Sequence, residues 1–214
     1  MELPEGNDFL EFANTLIHSR QNILPRHLEA PGPTPQQLQH ILEAASAAPD
    51  HGQLVPWRFV IVPLLQRPRL AEVFGLALVD RDPQATPVQI ENARQKAYRA
   101  PFLMLAIARL APQGAHQAAR LGAQNPDSTE TEISDAERLV SFGCAIQNMV
   151  LSAHAAGFGA GLTSGQALGS PRLRALFGLA DNEQAVCCIN IGTVAKHKPM
   201  RQRPAVSDYV SELM

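Results

Sequence analysis

The sequence predicts a layered α+β fold of the α/β type, and three observations carry that reading. Apolar runs at 59–62, 102–108 and 185–194 are short and rich in β-branched or large apolar residues, as buried strands are. Between them recur segments with apolar residues at i, i+3, i+4 and i+7, the pattern of helices that cover a sheet. One such segment, from Ser134 to near Gly157, is apolar on several faces, which places it centrally or in a subunit interface. With 214 residues the expectation is a single domain over 1–214.

Taken in order, the first helix begins at Asp8, with Glu11 completing a capping box and Phe9, Phe12, Ala13, Leu16 and Ile17 on one face. Residues 20–33 form a basic, proline-containing loop. The second helix has Thr34 as N-cap, Pro35 at its first position and Gln37 closing the box. Its stripe is Leu38, Ile41, Leu42 and Ala45, and Pro49 ends it. A polar loop to Trp57 leads into the first strand. Helices at 66–79 and 86–98 precede the second strand. Residues 111–133, with Pro112, Gly114, Gly122 and an acidic cluster, read as a mobile insert. Ser134 and Glu137 cap the longest helix, which spans roughly 33 Å at 1.5 Å per residue. A glycine-rich turn follows, with free backbone N–H groups at 157–165. A short helix then starts at Ser170–Pro171, the third strand comes next, and 196–214 is a basic and then extended arm.

Composition excludes several classes. Eighteen basic against 20 acidic residues give no global pull toward nucleic acid or an anionic membrane. No apolar run reaches the ~20 residues of a membrane span, and the first eight residues lack a signal-peptide pattern; a cytoplasmic protein is expected. Cys144, Cys187 and Cys188 cannot build a disulfide framework. Cys187 and Cys188 are adjacent in a strand and point to opposite faces as reduced, packed thiols.

Several catalytic motifs are absent. There is no P-loop. Gly157-Phe158-Gly159-Ala160-Gly161-Leu162 lacks the third glycine of a dinucleotide fingerprint and follows a helix. Gly161-Leu162-Thr163-Ser164-Gly165 does not fit a nucleophile elbow. The seven histidines show no ligand spacing, so no metal site is expected. What remains is dispersed: Arg20 and Arg26 early, Asp50 to Trp57 in the middle, the glycine-rich turn, and Lys196, Lys198, Arg201 and Arg203 late. Together they suit an anionic planar cofactor, with cations for a phosphate and backbone donors for a ring edge. Each piece also has a plain reading: Trp57 as a core aromatic, the basic tail as a solvated segment.

The order of these pieces resembles the FMN-dependent nitroreductase family, in its small single-domain branch, from about residue 10 to 200. The resemblance rests on Ala48-Pro49-Asp50-His51-Gly52-Gln53-Leu54-Val55-Pro56-Trp57-Arg58-Phe59, on Gly157-Phe158-Gly159 after a long helix, and on Ile191-Gly192-Thr193. It implies a central mixed β-sheet flanked by helices, the long helix at a homodimer interface and a C-terminal arm crossing to the partner. It implies FMN at that interface, NADH or NADPH as electron donor, and a nitroaromatic, quinone or similar small-molecule acceptor. By the same resemblance Arg20 and Asn22 stand where the family's Arg-Arg-Ser motif holds the phosphate and ribityl chain. Gln53 stands by the ring edge, and Lys196 or Lys198 returns to the phosphate. Thr163, Ser164 and Gly165 stand near flavin N5, with the Ser164 and Gly165 backbone in the catalytic role. Position 22 departs from the family's Ser, and Val55 replaces its usual Gln. Two alternatives stay open: a flavin-binding protein without reductase turnover, and a specialised flavin-dependent dehydrogenase.

Overall fold

The computed structural model describes residues 7–112, 133–197, 199 and 201–213. Most of the proposed insert, 113–132, and Lys198 therefore lie outside the described residues.

The described helices are α1 (Asn7–Ser19), α2 (Pro35–Glu43), α3 (Arg67–Arg81), α4 (Pro87–Arg94), α5 (Asp135–Ala155) and α6 (Pro171–Phe177). The strands are β1 (Leu28–Glu29), β2 (Trp57–Ile61), β3 (Phe102–Arg109), β4 (Gly159–Thr163) and β5 (Glu183–Val194). Across the sheet the order runs β2, β3, β5; beyond β5 lie β4, opposite 188–192, and β1, opposite 193–194. All of these pairs are antiparallel. The parallel component of the expected mixed sheet is, among the described residues, the isolated bridge of Asn22 to Ala160.

β3 shows why two layers of helices form. Met104, Ala106 and Ala108 point into a core built with Ile41 of α2 and Phe142, Ala145, Ile146 and Met149 of α5. Leu103, Leu105 and Ile107 point the other way, into a core with Leu70, Ala71 and Phe74 of α3 and Leu173 of α6. A strand buried on both faces reads as an unbroken apolar run, because alternation needs one wet face. Cys187 and Cys188 fall into the first and second core respectively, as adjacent strand residues must.

The capping boxes at Thr34–Gln37 and Ser134–Glu137 form as expected, and Thr86–Gln89 makes a third. α1 begins one residue earlier than its reading, with Asp8 in its first turn. One plain reading holds and two expectations change further. Trp57 is the first residue of β2 and 8% exposed, so it is a core aromatic. The glycine-rich run does not stay a turn: 159–163 is strand β4, because a neighbouring segment approaches too closely for side chains. A Cβ on Gly161 would overlap the carbonyl oxygen of Ile23. The proline-containing loop also holds β1 and a 3-10 turn, Pro25–His27.

Candidate functional site

Segment 22–26 lies along the outer edge of β4. Ile23 N–H donates to Ala160 O at 2.9 Å, and Leu162 N–H donates to the Asn22 side-chain Oδ1 at 2.9 Å. Asn22 is thus half a rung of sheet made by a side chain, which fixes Leu24, Pro25 and Arg26 over the end of β4. Just past that end, the N–H groups of Ser164 and Gly165 donate to no described residue. Both residues line a cavity of about 550 Å³, together with Thr163 and Leu24 on this side and residues of α3 and α4 on the other. The volume is in the range of small-molecule sites. Its inner wall includes Asn190, 1% exposed, whose Nδ2 donates to Gly161 O and Thr163 Oγ1, both at 3.1 Å. Cys188 also lines the wall, and burial pushes its thiol up to about 12, so it stays protonated and is no nucleophile near neutral pH.

At the other end of segment 22–26 stands Arg20, just after α1. It is half-buried, and its Nε is enclosed with no hydrogen-bond partner among the described residues. Arg203 of the C-terminal arm reaches the same place and donates to Arg20 O at 3.1 Å and His18 O at 3.3 Å. Burial first, and the Arg203 charge second, lower the Arg20 pKa from its ordinary value. Two adjacent guanidiniums, one with an orphaned donor, make a site for an anion. Lys196 is exposed just past β5, and neither it nor Arg20 lines the cavity. Leu24, the first residue of segment 22–26 to line the cavity, is four steps along the chain from Arg20, at most roughly 13 Å at 3.3 Å per residue.

Gln53 lies elsewhere. Its loop is built at the start of β2, with β3 and β5 between it and β4, three strand spacings or roughly 14 Å at 4.8 Å each. Gln53 and Val55 both hold positive φ, 54° and 47°, beside Gly52 at 74°. Such strain persists only when it is held. Asp50 does the holding, accepting from Leu54 N–H at 3.2 Å and Val55 N–H at 2.7 Å, while His51 Nδ1 meets Glu137 of α5 at 3.2 Å. Gln53 is exposed and does not line the cavity of its own chain.

Within one chain, then, Thr163, Ser164 and Gly165 line the cavity, Arg20 and Asn22 stand along the segment leading to it, and Gln53 does not join them. Sequence reasoning missed Lys96, Arg99, Asn92 and Asn190 on the cavity wall. Asn190 alone carried a signal, as the one amide in the apolar run 185–194. Among the described residues no group of three or more His, Cys, Asp or Glu could hold a metal, and no helix is long and apolar enough to cross a membrane.

Comparison with known proteins identifies the family. The pattern that defines the Nitroreductase family matches residues 17–193. YdjA of Escherichia coli K12, whose assignment as an NAD(P)H nitroreductase is provisional, is 32% identical over 168 residues, 78% of this chain and 80% of its own. A Haemophilus influenzae protein with the same provisional assignment is 29% identical over 181 residues, 85% of this chain and 88% of its own. Among solved structures, a nitroreductase-like family protein from Bacillus cereus superimposes with a TM-score of 0.72 at 16% identity, covering 100% of this chain and 98% of that one. The chain therefore belongs to the nitroreductase family of oxidoreductases.

Proposed function

We propose that this protein is a homodimeric FMN-dependent oxidoreductase that passes hydride from NADH or NADPH, through bound flavin, to a nitroaromatic, quinone or related electron-poor acceptor. The observation that carries the reading is the arrangement along β4: an uncompensated arginine pair at one end of segment 22–26 and free N–H donors beside a cavity at the other. An elongated cofactor with an anionic end and a ring end fits that layout. Flavin, when bound, supplies two-electron chemistry that no side chain in the cavity has.

The chain's own groups divide the remaining work. Arg20 and Arg203 neutralise the phosphate, with Lys196 and Lys198 as further candidate cations. The Ser164 and Gly165 N–H groups donate to the ring edge, and fixed donors of this kind stabilise charge that develops there. Lys96 stands on the cavity wall, where it would balance negative charge on a bound ring. The low-polarity wall of Phe74, Leu78 and Leu103 keeps water from the reacting face.

The dimer is part of the reading because Gln53 stands apart in its own chain. A second copy would bring its strained loop to the first copy's cavity. Apolar surface left uncovered supports that: Phe12 on α1 is 59% exposed, Val140 on α5 65% and Tyr209 on the arm 68%. The arm, exposed along 201–213, is the segment to cross between copies.

The first test is a visible absorbance spectrum of the gently purified protein, with identification of the released chromophore, followed by steady-state NAD(P)H oxidation with nitro and quinone acceptors. FMN near one per chain together with sustained turnover supports the reading. A colourless protein that does not take up added FMN refutes it. FMN without turnover leaves a flavin-binding protein.

A further inference from the structure

We propose that the acceptor reduced in this cavity is an organic anion, an aromatic or quinone-type body bearing a carboxylate, sulfonate or phosphate. The inference rests on the flavin reading above and names its substrate class. It is carried by the charge of the wall: Arg26, Arg81, Lys96 and Arg99 line the cavity, and no Asp or Glu does.

These cations are not one solvated helix face. Arg81 is the last residue of α3, Lys96 and Arg99 belong to the turn after α4, and Arg26 belongs to the turn before β1. Three separate elements turn basic groups toward one space. Of the carboxylates near them in sequence, Asp82 accepts Gln84 N–H at 3.1 Å and Glu91 accepts from the Gln95 side chain at 2.5 Å, and neither lines the cavity. Asp80 accepts both arms of Arg172, at 2.5 and 3.0 Å, and Glu72 pairs with Arg94 at 3.0 Å. Among the described residues Arg81, Lys96 and Arg99 have no ion pair. The whole chain carries a net charge of -2, so this positive field is local. A low-dielectric wall lined by one sign of charge concentrates ligands of the other sign.

A ring that gains one negative charge on reduction is answered by one cation, for which Lys96 suffices. Arg81 and Arg99, both exposed and on different elements, stand beyond that need. A planar body against Phe74 and Leu78 would extend its anionic group to them, where guanidinium meets carboxylate or sulfonate in the two-donor geometry it favours. For a nitroaromatic carboxylate the electron balance is plain. One nitro group takes a hydride equivalent from NAD(P)H and one proton, loses water and becomes nitroso, while the carboxylate stays unchanged and only binds.

The test uses the FMN-loaded protein, NADPH and two acceptors of matched shape, 4-nitrobenzoate and neutral 4-nitrobenzyl alcohol. The expected kcat/KM ratio favours the anion by roughly tenfold at low salt, shrinks as ionic strength rises, and collapses toward one in the Arg81→Gln/Arg99→Gln double variant. FMN content and circular dichroism check that the variant is folded and loaded, and an Arg99→Glu variant should invert the ratio. A wild-type ratio near one overturns the proposal, as does a ratio that survives in both variants. A raised KM for NADPH with an unchanged acceptor ratio also overturns it, since these arginines would then read the donor's phosphates. If neither acceptor is reduced by the loaded protein, the oxidoreductase reading itself fails and this inference falls with it; a loaded protein that turns over without preferring the anion fails the inference alone.

Discussion

Arg67 and Arg20 are both arginines drawn away from water, and they are opposite in how their donors are spent. Arg67, at the start of α3, is 1% exposed and donates from Nε to Val62 O at 2.7 Å and from Nη1 to Ala97 O at 2.5 Å, with Ala100 O and Pro101 O within 3.5 Å. It ties the end of β2 to the turn that enters β3. Arg20 has an enclosed Nε with no partner and a second arginine beside it. Burial lowers the pKa of both. The difference separates two uses of a costly group. A guanidinium whose donors all end on carbonyls completes a fold, whereas one left short of acceptors beside a like charge awaits an anion from outside.

The sharpest way to break that contrast is to remove each arginine. Arg67→Ala should cost about 4 kcal/mol in urea unfolding, because it strands buried carbonyls and opens a cavity. A loss under about 1 kcal/mol would mean water replaces it, and the contrast would fail. Gly161→Ala should come next, at about 2 kcal/mol, since the new methyl drives segment 22–26 off β4. It should also lower FMN affinity, which a titration of flavin fluorescence would read. Arg20→Ala should behave in the reverse sense to Arg67→Ala, with the melting temperature of the FMN-free protein nearly unchanged and FMN affinity down by at least about tenfold. An apoprotein destabilised as much as by Arg67→Ala would show that Arg20 is structural too.

Glu183 gives the smallest and finest test, because it is a buried ion whose partners are all present. Arg58 donates to it at 2.9 and 2.7 Å, Arg109 lies at 3.5 Å, and Ala180 N–H donates at 3.2 Å. The hydrogen bonds from Arg58 hold its carboxyl below the usual carboxylate range. A depressed folded pKa gives stability that is complete above the unfolded value, about 4.3, and is lost as pH falls through the folded one. Glu183→Gln should lose about 1 kcal/mol at neutral pH and show a shallower acid limb below about pH 4.3, measured by thermal melts across pH. An acid limb as steep as the wild type's would remove Glu183 from the account.

Sequence legibility followed the range of the interactions. Helix starts were readable because a cap is a contact between residues three apart, as at Thr34 and Ser134. β3 and β5 were readable because burial on both faces writes an apolar run. β4 was not: Gly159 and Gly161 are there to admit Leu28 and Ile23 from a segment well over a hundred residues away, and sequence alone shows only a run of glycines. The site divides likewise. Ser164 and Gly165 could be found because a known pattern marks them. The basic wall could not, because Arg26, Arg81 and Arg99 become neighbours only when three elements fold together. In sequence Arg203 is one cation of a basic tail, while its meeting with Arg20 is a tertiary fact.

The Asn22 rung has a consequence for life at high concentration. Where β4 meets segment 22–26 it borders the sheet, and a bare strand at that place would present its main chain to any passing extended chain. Ile23 and the carboxamide of Asn22 occupy Ala160 O and Leu162 N–H, so that docking track is filled from within the same molecule. Replacing Asn22 with Ala would reopen one rung, and light scattering during prolonged storage should then report slow strand-to-strand aggregation before enzyme assays report anything.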